Sequence, residues 1–258
     1  MSTEFINFLA PPGASIANYN RKAVAQAQSH GIPSTFIEAM NVRESVFVKE
    51  QQVPLENEFD QDDARSYHWV VYASVNDGSR HDNGRKGSQT STVPVGTIRL
   101  VPPPHPPHPK SGSIELTNNT QAGQAEQEET LITAWHNGKE PYIKLGRLAT
   151  LKPYRKLGLA RLLLFEALDW ASKNADAFRP SLSVDEYERA RQKDWDWLER
   201  VVWKGLVLVH AQKDVEVFYQ RQGFVTDEEM GSWTEEGIIH VGMWRRIPLV
   251  ETKSRRKS

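Results

Sequence analysis

The stretch Arg155-Lys156-Leu157-Gly158-Leu159-Ala160 follows an apolar strand pattern and a proline, and it opens an apolar helix pattern. Its chemistry would be that of the backbone. Gly158 lets the chain take positive φ or approach a ligand closely, and Ala160 adds little obstruction. The N–H groups of residues 156 to 161 would point out of a helix start, where the macrodipole favours negative charge. With Arg155, Lys156 and Arg161 beside them, they suit a pyrophosphate cradle; the same spacing also suits an ordinary strand-to-helix turn. A second candidate is the acidic run Glu56, Glu58, Asp60, Asp62 and Asp63. Such a run is either a field that attracts a cationic amine or a solvated loop. His105 and His108, in HPPHP, lack carboxylate partners at ligand spacing, so adventitious metal binding is the expectation and no metal site is predicted.

The chain has 258 residues, a formal net charge of −1 and no cysteine. The absent thiol excludes disulfides, thiolate zinc sites, iron–sulfur ligation and a cysteine nucleophile. The charge balance argues against a nucleic-acid or membrane partner held by electrostatics. No apolar run is long enough to span a bilayer, and the first residues lack a signal-peptide pattern. The expectation is a soluble cytoplasmic protein, with nuclear import left open by the basic tail at residues 250–258.

These candidates need elements to hold them. Thr35 and Glu38 have capping-box spacing ahead of a helix running through Phe36, Met40, Val46 and Phe47. Strands are predicted at His68–Val75, Val95–Val101, Tyr142–Leu151, Leu206–His210 and Ile238–Ile247 from their β-branched and aromatic content. Gly158–Ser172 reads as a helix buried on more than one side, and Asp214–Gln222 as a short helix that Gly223 ends by a left-handed turn. Three stretches read as insertions into one domain, 1–258. Residues 76–94 are a polar loop, 102–138 are too polar and proline-rich to stay ordered, and 174–204 hold a loop and a helix around Val184, Tyr187, Trp195, Leu198 and Val202. The order of elements describes an α/β or α+β domain.

R-L-A-T at residues 147–150, followed after four residues by R-K-L-G-L-A, resembles the acetyl-coenzyme A segment of the GCN5-related N-acetyltransferase (GNAT) superfamily. HAQKDVEVFYQRQGF resembles its second segment. VRESVFVKEQQVPLENEFDQDD and GFVTDEEMGSWTEEGIIHVGM are similar to the ElaA-type branch. The family often has glycine after the first arginine, where this chain has Lys156, and asparagine where it has Gln212. R-x-x-V-F with E-x-D-x-x-D also resembles acyl-homoserine-lactone synthases, which share the fold.

The resemblance implies a mixed, mostly antiparallel sheet flanked by helices and splayed at the cofactor site. It implies direct transfer of an acetyl group from acetyl-CoA to a primary amine in a ternary complex, for which no cysteine is needed. Leu148, Ala149 and Thr150 would pair with the pantetheine amides, Arg155, Lys156, Leu157, Gly158, Leu159 and Ala160 would hold the pyrophosphate, and Gln212 would bond the pantetheine arm. Tyr219 would give a proton to the leaving thiolate, although Phe218 and Tyr219 also suit core packing. His240 is the candidate base or substrate contact, and Glu50 and Gln51 would lie beside the acceptor. A non-catalytic coenzyme A-binding module is the competing reading.

Overall fold

The structure, a computed structural model, describes residues 5–77, 89–115, 131–179 and 202–250. Its strands are β1 (Ile6–Leu9), β2 (Tyr67–Asp77), β3 (Gln89–Val101), β4 (Ile114–Glu115), β5 (Ile143–Thr150), β6 (Leu206–Gln212), β7 (Val225–Thr226), β8 (Ser232–Glu235) and β9 (Ile238–Arg246). Its α-helices are α1 (Ser34–Arg43), α2 (Leu55–Glu58), α3 (Leu159–Lys173) and α4 (Glu216–Gln220). The fold class is mixed α/β with mostly antiparallel strands. Two compact units make up the chain: Met1–Arg99 with Arg147–Phe165, and Leu100–Gly146 with Glu166–Ser258.

In the first unit the strand order is β1-β2-β3-β5. β1 pairs antiparallel with β2, Phe8 opposite Trp69. The successive residues Trp69, Val70 and Val71 are all buried, so β2 is covered on both faces. Phe36 and Met40 of α1 pack with Ile16, Tyr19 and Ala25, which places the segment before α1 in the core. The predicted helix from Phe36 onward exists, but α1 passes into a π-helical stretch at Glu44–Glu50. Its start differs from the expected capping box. Ser34 is already helical and Pro33 is the N-cap, with no side-chain cap bond. Thr35 therefore lies inside the first turn, and Glu38 instead accepts a hydrogen bond from the Tyr72 hydroxyl at 2.5 Å.

The second unit orders its strands β5-β6-β9-β8-β4, with β7 on β9. Parallel pairing of β5 with β6 runs from Ile143↔Val207 to Leu145↔Val209. β6 continues antiparallel to β9 as far as Gln212↔His240. The core joins Tyr142, Leu206, Leu208, Met230, Trp233 and Trp244. Ala167, Leu168 and Ala171 are the buried positions of the last turns of α3.

The insertions require correction. Strand structure covers Asn76–Asp77 and Gln89–Pro94, so the first loop is shorter than 76–94. The segment opening with Pro102 is ordered over its described part. Ile114 and Glu115 form β4 beside β8, and His105 stacks on Tyr142 with ring centres 4.5 Å apart. Polar composition concealed this because the histidines work here as aromatic cover. Residues 78–88, 116–130, the predicted helix around Tyr187–Leu198 and the tail after Val250 lie outside the described residues.

Candidate active site

In the first unit, β5 ends at Thr150 and a 3-10 turn at Lys152–Tyr154 carries the chain to α3. Ala149 is buried against Val42 and Val46, while Leu148 and Thr150 are half-buried. Gly96 of β3 allows the close approach that sets this strand: a Cβ there would lie 3.1 Å from the Ala149 carbonyl oxygen and 3.0 Å from Val71 Cγ1. The Leu151 N–H donates to the Val95 carbonyl at 2.9 Å, which continues the contact.

The cradle itself is open. Arg155, Lys156, Leu157 and Gly158 are exposed, Leu157 to 68%. Gly158 has φ +83° and Lys156 φ +66°, so two left-handed residues shape the entry to α3. A Cβ on Gly158 would meet no atom within 4 Å, so this glycine is required by its backbone angle and has free space beside it. α3 is 15 residues long, and the N–H groups of its first turn lack intrahelical partners by construction. Leu159 and Ala160 are half-buried at that start. Arg155 is fixed from two sides, donating to the Thr150 carbonyl at 3.0 Å and to Glu50 Oε2 at 2.7 Å. Arg161 lies over the Phe165 ring, 5.2 Å from its centre. The structure thus joins Glu50 to the cradle, a link that the sequence did not indicate.

In the second unit, the register places Gln212 directly opposite His240. The His240 Nδ1–H donates to the Ile238 carbonyl at 2.9 Å in the tautomer that puts the lone pair on Nε2. Its ring stacks at 6.4 Å on that of Trp233. Tyr219 lies on α4 and is buried, edge-on to Phe224 at 5.6 Å. Burial pushes its phenol well above the ordinary range, so it is protonated at neutral pH. Gly223, at φ +80°, ends the turn after α4 as expected, and the Phe224 N–H returns to the Tyr219 carbonyl.

A further histidine lies in the same strand as Gln212. His210 lies on β6 two residues before Gln212, on the same face by strand period, and its Nε2 is buried with no hydrogen-bond partner. Burial, then Lys144, His108, His240 and His105, push its pKa well below the usual value.

The acidic run is neither an open field nor a solvated loop. Glu58 and Asp63 are buried, and with Asp60 they are bound by Arg43, Arg99 and Arg147. Asp62 pairs with Arg65 at 2.8 Å, and only Glu56 of the five is exposed. Desolvation of a carboxylate requires a partner, and arginines distant in sequence supply it. His105 and His108 belong to the Tyr142–Trp244 aromatic cluster, where burial pushes the His108 pKa down to about 4.

Residues 37–195 match the model of the acetyltransferase (GNAT) family, over more than half of the chain. The chain belongs to this family. It is accordingly an acyl-CoA-dependent acyltransferase. Similar solved structures include a Lactobacillus plantarum protein titled as an N-acetyltransferase, with 21% identity over 93% of this chain and 96% of that one and a TM-score of 0.43. An acyl-CoA N-acyltransferase from Pseudomonas aeruginosa has 17% identity over 93% and 99%, with a TM-score of 0.44. Escherichia coli ElaA has 15% identity over 93% and 98%, with a TM-score of 0.45. The comparison with curated proteins gave no match. Among the described residues, no helix is long and apolar enough to cross a membrane.

Proposed function

We propose that this acyltransferase moves the acetyl group of acetyl-CoA directly to a primary amine in a ternary complex. The observation that carries the reading is the solvent-open start of α3, where left-handed Lys156 and Gly158 present backbone N–H groups beside Arg155. Such a site fits a pyrophosphate. Bound there, acetyl-CoA supplies an acetyl thioester. The N–H groups of residues 156–160 and the Arg155 guanidinium hold the phosphates, and the backbone of Leu148, Ala149 and Thr150 pairs with the pantetheine amides as an added strand would. For Gln212, the role that the family resemblance implies is a hydrogen bond from its amide to the pantetheine.

The amine attacks as the free base, so a proton must leave it and another must reach the sulfur. His240 Nε2 is the proposed acceptor of the first, and the Tyr219 phenol the donor of the second. Glu50 and Gln51 are proposed to face the acceptor, with Glu50 also fixing Arg155. A chain without cysteine has no thiol for an acyl-enzyme, which supports direct transfer.

The test is coenzyme A release across protein N-termini, lysine peptides, polyamines and aminosugars, together with thermal stabilisation by acetyl-CoA. Tyr219→Phe is expected to lower turnover about tenfold or more while the affinity for acetyl-CoA holds. Stabilisation by acetyl-CoA with no release from any amine would instead establish a binding module.

A further inference from the structure

Arg147 is the one residue of β5 with a positive φ, +51°, in the interior of a strand. Left-handed backbone in an arginine is strained and persists where its surroundings fix it. The surroundings here are charged. Arg147 Nη2 lies 3.1 Å from Asp60 Oδ2, and its Nε lies 3.2 Å from Glu58 Oε1. Each carboxylate also has a second arginine. Arg43 holds Glu58 at 2.6 Å and Asp63 at 2.6 Å, and Arg99 holds Asp60 at 2.7 Å and Asp63 at 2.9 Å. Three arginines from α1, β3 and β5 thus close on three carboxylates, one at the end of α2 and two in the segment between α2 and β2.

Burying four of these six charges and half-burying the other two is a poor way to gain stability, because their desolvation offsets most of the attraction. What such a network does well is fix geometry. Arg147 is its most exposed member, at 24%, and the residues that follow it are Leu148, Ala149 and Thr150.

We propose that Arg147 is a positioning residue: its ion pairs with Glu58 and Asp60 lock β5 in a left-handed bend and so set the direction of the Leu148–Thr150 backbone for acyl-CoA. The purpose assigned to the bend rests on the cofactor reading given above; the lock does not. Loss of the pairs frees the strand to relax, and the following amides lose their fixed orientation.

Amide hydrogen exchange of the full chain without cofactor tests the lock. Arg147→Asn and Arg147→Gly both tolerate positive φ, so neither adds strain, and both remove the charge. In each, the amides of residues 148–150 are expected to exchange at least tenfold faster, while those of β2 stay within twofold. Arg147→Lys, which keeps the charge, should recover part of the protection. Calorimetric titration with coenzyme A then tests the purpose, with affinity expected to fall tenfold or more in Arg147→Asn and to recover partly in Arg147→Lys. Unchanged exchange at 148–150 overturns the lock, whatever the affinity does. Faster exchange with unchanged affinity overturns the positioning role. A wild-type chain that binds no coenzyme A overturns the cofactor reading itself.

Discussion

Lys156 stands where the family often has glycine, and its φ of +66° gives that difference a physical meaning. The backbone N–H remains available, but a side chain is carried in a conformation that costs an L-residue roughly 1 kcal/mol. Glycine at this position would remove the strain and add a similar amount of unfolded-state entropy. Lys156→Gly is therefore expected to leave the melting temperature within about 2 °C of wild type. Gly158→Val should behave differently. At φ +83° a β-branched residue is a conformational outlier, and a loss of about 1–3 kcal/mol with weaker coenzyme A binding is expected, read by thermal melts and calorimetry. Space is not the cause, since a Cβ at 158 has none to contest. Tyr219 adds a kinetic expectation. Its phenol is held well above its ordinary pKa by burial, so turnover should show no alkaline decline from this group up to about pH 10.

At the level of elements, strand β5 is set by what lies beside it. Gly96→Ala would put a Cβ 3.0–3.1 Å from Val71 Cγ1, the Ala149 carbonyl oxygen and Thr150 Cγ2. Overpacking of this kind costs about 1–3 kcal/mol, and the melt should fall by about 2–10 °C, with coenzyme A affinity reduced because Ala149 and Thr150 must move. The sequence could not announce Gly96 as special, because its neighbours Val71 and Ala149 are brought to it by pairing. Strands β2, β3, β5, β6 and β9 were legible, since β-branched and aromatic runs such as HWVVYASV and LVLVH need no distant partner to be read, whereas the short β1, β4, β7 and β8 were not predicted. Gly158, Gly223 and the helices α3 and α4 were legible for the same local reason. The acidic run was not. Its outcome depended on Arg43, Arg99 and Arg147, and a charge run reads as solvated until its partners are located. The order around His105 and His108 was hidden likewise, because Tyr142 and Trp244 supply the apolar surface that the segment itself lacks.

Across the whole molecule, several histidines are buried in their neutral form, and this fixes how stability must respond to acid. His68, in the first unit, has its pKa lowered to about 4, mainly by burial. In the second unit His108 is likewise lowered to about 4, and His210 is well below its usual value. An unfolded histidine titrates near 6.5, so between that pH and about 4 the unfolded chain binds protons that the folded chain refuses. Stability rises with pH wherever the unfolded state binds more protons; the contribution is therefore complete above about pH 6.5 and is lost as pH falls towards 4. His68 and His108 each account for on the order of 1–3 kcal/mol over that window. Asp60 and Asp63 act lower down. Both have depressed pKa values from their arginine partners, so their contribution holds above the ordinary carboxylate range and fades only below it. Thermal unfolding followed from pH 8 to pH 4 should show a flat midpoint above 7 and a steep fall beneath 6.5, in both units. His108→Gln should flatten that fall, because a glutamine takes up no proton on unfolding. A midpoint unchanged between pH 7 and 4.5 would show that the buried histidines titrate as in the unfolded chain.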